Sequence, residues 1–181
     1  IVALGLPVTG IDHGCAPSDS PTLLGAVPDV LALVAAGYMV VMTDYQGLGL
    51  PVHAPDGSTQ DFIAYHPFLD SATVGYNVID SVRAARKLVP AASGEFAIWG
   101  RGQGGQAAWA ADELAPDYRG DLNLVGVIAD GPTAALEWLA DAASAGALSQ
   151  DQELLLQQFL AALKKTYAAF DLDAYRHGAA K

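Results

Sequence analysis

Apolar positions in this chain follow two rhythms. Short apolar runs at residues 1–6, 38–42, 96–99 and 124–129 end in glycine, proline or polar residues, and runs of that length predict buried strands. Between them the spacing is helical. Residues 30–36 follow Pro28-Asp29 and stop at Gly37, which predicts a short helix. Val74, Val78, Val82, Ala85 and Val89 recur every three or four positions, leaving Asn77, Asp80, Arg83 and Lys87 off the stripe, the mark of an amphipathic helix. A further helix is predicted from the glycines after Trp99 to about Leu114, with Ala107, Ala108, Ala110 and Ala111 permitting close packing. Strand and helix therefore alternate through the first 130 residues, which predicts a parallel sheet covered on both faces, with right-handed crossovers.

After Asp130 the pattern becomes helical only. Pro132 can open a helix ending near Gly146, and Ser149 with Gln152 forms a capping box for another. In that second helix Leu156, Phe159, Leu160, Leu163 and Tyr167 form an apolar stripe widened by Leu154 and Leu155, and a short third piece covers residues 171–175. Such a segment is either a layer packed on the body or a cap over a site, so the chain divides into 1–130 and 131–181. Two stretches predict long loops, 7–20 and 47–68, and loops of that length often carry function. Thr43-Asp44-Tyr45 falls at the carboxyl end of a strand, where open α/β sheets place ligands.

Composition narrows the partners. The 181 residues suit about one domain, with 52% hydrophobic residues to supply a core. A net charge of -11, and no basic run longer than Lys164-Lys165, argue against a nucleic-acid groove or a polybasic membrane anchor. No apolar stretch reaches the roughly 20 residues of a spanning helix uninterrupted, so no transmembrane segment is predicted. The single cysteine, Cys15, has no internal disulfide partner, and a buried free thiol is expected. His13, His53, His66 and His177 lack H-x-x-H or H-x-x-x-H spacing, so neither a metal nor a metal-borne mechanism is predicted. The chain starts at I-V-A-L without methionine; no signal peptide is visible, and a trimmed terminus could have carried one.

The candidate chemistry concentrates in residues 96–105, F-A-I-W-G-R-G-Q-G-G. Gly100-Arg101-Gly102-Gln103-Gly104 has the frame of a G-x-S-x-G nucleophile elbow, with Gly102 where the serine would project. Gly100, Gly102 and Gly105 also satisfy G-x-G-x-x-G, and Asp130 could serve as the acidic partner of a dinucleotide-binding module. These ten residues alone leave both readings open.

Several separated pieces together resemble the secretory lipases, a group of α/β-hydrolases. They are T-G-I-D-H-G-C-A-P-S at 9–18, T-D-Y-Q-G-L-G at 43–49, H-P-F-L at 66–69, D-S-V-R-A-A-R at 80–86, W-G-R-G-Q-G-G at 99–105 and L-N-L-V-G-V at 122–127. The resemblance implies an α/β-hydrolase core, residues 1–130, of which this chain holds part, with a helical cap over 131–181. It also implies secretion or a place in the cell envelope, no cofactor, and a lipid or acyl-ester ligand. The dinucleotide reading weakens, because that fingerprint normally opens the first strand-helix unit of its domain and two strand units precede it here.

The departures carry as much weight. The family elbow reads W-G-H-S-Q-G-G, so Arg101 replaces the histidine and Gly102 the nucleophilic serine, while the family's triad acid and base belong to segments after the cap. By resemblance, Gln103 and the loop at Thr9 and Gly10 would supply oxyanion donors, and Arg101 could meet a carboxylate or phosphate headgroup or pair with an internal acid. Asp44, Tyr45 and His66 are expected to be structural. The resulting expectation is a catalytically defective homologue that binds an acyl lipid or ester, or serves a structural role. Its rivals are an active triacylglycerol lipase or carboxylesterase whose remaining catalytic residues lie outside this chain, and the dinucleotide module. A further polypeptide segment completing the fold is a possible partner.

Overall fold

The computed structural model describes residues 1–49 and 65–175. Most of the 47–68 excursion, including His53, and also His177, lie outside the described residues. Four parallel strands, β1 (Val2–Gly5), β2 (Val40–Met42), β3 (Glu95–Arg101) and β4 (Asn123–Asp130), form one sheet in the order β2-β1-β3-β4. Among the described residues five α-helices accompany them: α1 (Val27–Ala35), α2 (Ser71–Leu88), α3 (Gln103–Tyr118), α4 (Glu137–Ser144) and α5 (Gln150–Thr166). The loop after β1 contains 3-10 turns at His13–Cys15 and Pro17–Asp19, and a third lies at Leu23–Gly25.

The order of the strands fixes where the helices lie. The chain leaves β1 for β2 on one side, then crosses back over β1 to β3 and on to β4. Right-handed crossovers therefore put α1 on one face of the sheet and both α2 and α3 on the other. The α2/α3 face holds the main core: Ala3, Phe96 and Ile98 from the strands meet Val74, Val78, Ile79 and Val82 from α2 and Ala107, Ala108 and Ala111 from α3. Gly75 lets the two helices approach closely, since a β-carbon there would press on Ala110 at 3.0 Å. Asp70 caps α2 by accepting from the Thr73 amide at 3.1 Å.

The opposite face is only partly covered. α1 and the turn before it shield Leu4 and Leu6, with Val40, Met42 and Trp99 at the margin. Beyond them Val125 and Ile128 on β4 are 59% and 62% exposed, above an open groove of about 590 Å³. Helices thus lie on both faces as expected, while the expected burial of residues 124–129 is corrected: among the described residues β4 pairs with β3 alone and one of its faces is open. Its apolar run packs on one side only, through Leu124 and Val127.

Two helix boundaries also move. α3 continues through Pro116 to Tyr118; the proline leaves the carbonyl of Asp112 without its helical donor, and Asp112 is exposed to water. α4 begins at Glu137, not at Pro132, because the Thr133 amide is drawn back to the Gly102 carbonyl at 3.1 Å and Ala135 turns at φ 51°. α5 carries the expected capping box at Ser149 and Gln152. Its predicted stripe splits: Leu155, Phe159 and Ala162 pack toward Ile11 and Phe68, whereas Leu156, Leu160 and Leu163 line a cavity with α4. Leu154 and Tyr167 stand exposed.

Candidate functional site

The carboxyl ends of β1 and β3 and the start of α3 meet at one sharp bend. Gly102 sits there at φ 57°, ψ -119°, a conformation costly for any residue bearing a side chain. Its neighbours impose the bend. A β-carbon on Gly100 would overlap the backbone of Gly104, and one on Gly104 would overlap the backbone of Gly5, so strand and helix can approach this closely only with glycine at both. One on Gly105 would come within 2.8 Å of the Asp130 carbonyl. Hydrogen bonds lock the turn: the Gly102 amide donates to the Asp130 carbonyl at 3.0 Å, and the Gly102 carbonyl accepts from Gln106 at 3.0 Å and from Thr133.

Space for a side chain remains at the centre. A β-carbon built on Gly102 would lie 3.8 Å from Pro7 and 4.0 Å from the Thr133 hydroxyl, ordinary contact distances. The obstacle to a side chain here is therefore torsional, not steric. Thr133 puts a hydroxyl beside the vacant position, and no imidazole hydrogen-bonds to it among the described residues. Thr133 and Pro7 were not apparent as site residues from the sequence; a glycine and proline just after a strand end, at 131–132, were the available signal.

Gln103 opens α3, so its amide N–H has no partner within the helix. Its side chain turns inward to His66, and both are buried. The arrangement fixes the imidazole tautomer. Nδ1–H donates to the Gln46 carbonyl at 2.9 Å, which leaves Nε2 as acceptor for the Gln103 amide. Burial lowers the His66 pKa from 6.5, with a smaller push from the charge of Lys165; the contacts to Gln46 and Gln103 oppose it. His66 is therefore a neutral tie between the turn after β2 and the first residue of α3. It stacks at 5.7 Å on Tyr45, whose hydroxyl is held neutral by burial.

The remaining candidates are engaged locally. Arg101 pairs with Asp29 of α1 and lies 5.7 Å over the Trp99 ring, so the internal-acid reading describes its present contact. The Thr9 hydroxyl donates to the Cys15 carbonyl at 2.8 Å, and Gly10, at φ 145°, packs on the half-buried, free Cys15. The loop after β1 touches the Gly102 position through Pro7. The Asp44 carboxylate holds Ser18 by its amide and its hydroxyl, fastening the C-A-P-S loop to the end of β2. Asp130 ties the glycine turn through its backbone carbonyl. Among the described residues no group of three or more histidine, cysteine or acidic side chains is arranged to hold a metal, and no helix is long and apolar enough to cross a membrane.

A family model described as "Secretory lipase" matches residues 25–181. The chain belongs to the secretory lipase family. Solved structures agree on the fold. The rice cell wall degrading esterase LipA from Xanthomonas oryzae is 25% identical, with a TM-score of 0.67 over 94% of this chain and 44% of that one. Candida antarctica lipase A in its closed state gives 23% identity and a TM-score of 0.51 over 69% and 28%. A Legionella pneumophila protein gives 20% identity and 0.66 over 93% and 43%. No curated protein sequence matches. This secretory lipase chain thus has an α/β-hydrolase fold and spans less than half the length of the solved chains it resembles. Its glycine turn lies between the third strand and its helix, not at the opening strand-helix unit where a nucleotide-binding fingerprint normally stands.

Proposed function

We propose that this secretory lipase homologue binds an acyl lipid or ester without hydrolysing it, or serves a structural role in the cell envelope. One observation carries the reading: the elbow torsions and clamps are all in place, and the residue at their centre is glycine. Ester hydrolysis needs a hydroxyl to attack, an imidazole to move its proton, and backbone amides to hold the oxyanion. Glycine supplies no oxygen for the first step, and losing the nucleophile of a serine hydrolase costs roughly a million-fold in turnover.

Backbone donors outlast such a change. The Gln103 amide at the head of α3, with the loop at Thr9 and Gly10, would still meet a carbonyl or carboxylate oxygen; Arg101 would join them only after leaving Asp29. Secretion or envelope association fits the family. A further polypeptide segment fits against the bare face of β3 and β4, where Val125 and Ile128 are exposed.

The reading is tested with a fluorophosphonate probe and with short and long p-nitrophenyl esters. Absence of labelling and of turnover, together with a lipid retained in native mass spectrometry, is expected; labelling of any serine of this chain overturns it. A second reading is favoured by the 44% coverage of an esterase: an active triacylglycerol lipase or carboxylesterase whose other catalytic residues lie outside residues 1–181. Probe labelling confined to a longer polypeptide containing this chain would select it.

A further inference from the structure

We propose that His66 is a positioning residue for the ligand site: it sets the gap between the loop at Thr9 and Gly10 and the head of α3, and with that gap the grip on a ligand's carbonyl oxygen. The inference rests on the lipid-binding reading above and adds the residue that tunes the site. The two sides of the gap are held differently. At the head of α3 the Gly102–Gln103 peptide is clamped by the bonds its carbonyl accepts from the Gln106 and Thr133 amides. Residues 9–12 belong to no strand or helix, and among the described residues two donors tie them to distant parts of the chain. The His66 amide donates to the Ile11 carbonyl at 3.3 Å. The Lys165 ammonium donates to the same carbonyl at 3.3 Å and to the Asp12 carboxylate at 2.5 Å.

Of the two, His66 is the one that also reaches α3. Its backbone holds the loop while its imidazole Nε2 accepts from the Gln103 side chain, so a single buried residue spans from one side of the gap to the other. Its own place is fixed from behind. Nδ1 donates to the Gln46 carbonyl, and the ring packs on Tyr45 at 5.7 Å and on Phe68 at 6.5 Å. A β-carbon on Gly47 would overlap the Tyr65 backbone, so the turn after β2 presses directly on the chain entering His66. Displacing the imidazole would leave a buried polar atom unpaired, a costly state. Gly102 and Thr9 keep partial exposure, so both sides of the gap meet solvent. An oxygen held from two sides accepts well only with donors at about 2.7–3.2 Å, and the residue that fixes the separation therefore governs the hold.

The test uses 2-decanone carrying carbon-13 at its carbonyl, with affinity read by calorimetry and the stretch of the bound carbonyl read by infrared difference spectra; donors closing on the oxygen lower that stretch. His66→Gln keeps an acceptor near the place of Nε2, whereas His66→Asn keeps a donor for Gln46 and stops short of Gln103. In the parent the bound band is expected below its position in hexane. His66→Asn should move it back toward that position and weaken binding about three- to tenfold, and His66→Gln should stay near the parent in both. Lost packing alone would lower the melts of both variants and leave the bound band in place. An unmoved band in His66→Asn, equal shifts in the two variants, or a parent band already at the hexane position overturns the positioning role while leaving lipid binding intact. Should His66→Asn lose its cooperative melt, Gln103→Met, close to glutamine in length, removes the same contact: the same shift is expected, and an unmoved band overturns the role equally. No binding of the ketone by the parent overturns both.

Discussion

On one face of the sheet Phe96 and Ile98 lie under α2 and α3 at 0% and 1% exposure, while on the other Val125 and Ile128 of the neighbouring strand are 59% and 62% exposed. The residue types are alike, and the sheet is one. What differs is the number of helices each face receives among the described residues: two on the first, and on the second α1, which reaches β2 and β1. An apolar run thus records what a strand prefers, not whether a covering is present to satisfy it. An apolar surface this open marks an interaction site or an aggregation liability.

Charge placed on the two faces should give the largest contrast. Val78→Asp, on α2 in the main core, is expected to cost more than about 4 kcal/mol by burying an unpaired carboxylate, whereas Ile128→Asp should stay within about 0.5 kcal/mol. Urea denaturation midpoints measure both; equal losses would mean that the second face is covered in solution. Next comes the bend that joins β3 to the covered layer. Gly102→Ser should lose roughly 1–3 kcal/mol to backbone strain, and a serine variant of equal or greater stability would show that the turn holds none.

A smaller effect is expected from His66, buried beside the covered layer. Its folded pKa lies below the unfolded value of 6.5, so the unfolded chain binds the extra proton: stability is complete above 6.5 and declines as pH falls from there through the folded pKa. Thermal melts across that range should show the decline, with a shallower slope in His66→Asn; identical slopes would remove His66 as its source. The least consequence belongs to the sparsely covered side. Arg101→Ala removes a partly exposed ion pair with Asp29 and should cost under about 1 kcal/mol. Melts in low and high salt check this, since the difference between variant and parent should shrink as salt rises.

The strands and the main helices were legible because periodicity is local. Val74, Val78 and Val82 define α2 without reference to anything else, and the pentad from Gly100 to Gly104 announces a tight strand-to-helix turn. What failed was tertiary. A strand buried on both faces and one with an open face among the described residues are written in the same residue types, so the apolar run at β4 does not tell them apart. Pro132 has the chemistry of a helix start, yet the Gly102 carbonyl captures the next amide and delays α4 to Glu137. The contact of Gln103 with His66 spans 37 positions, and that of Arg101 with Asp29 spans 72; neither spacing belongs to a local pattern. Gln106 stands one helical turn after Gln103, a hint of a shared inward face.

The angle at Gly102 is dictated from outside that residue, by the glycines before and after it and by Gly5 across the sheet. A side chain placed at the apex would therefore meet only ordinary contacts, and the cost would fall on its torsions. The course of such a turn is better sought in a pair of torsions than in the letter at the middle of a motif.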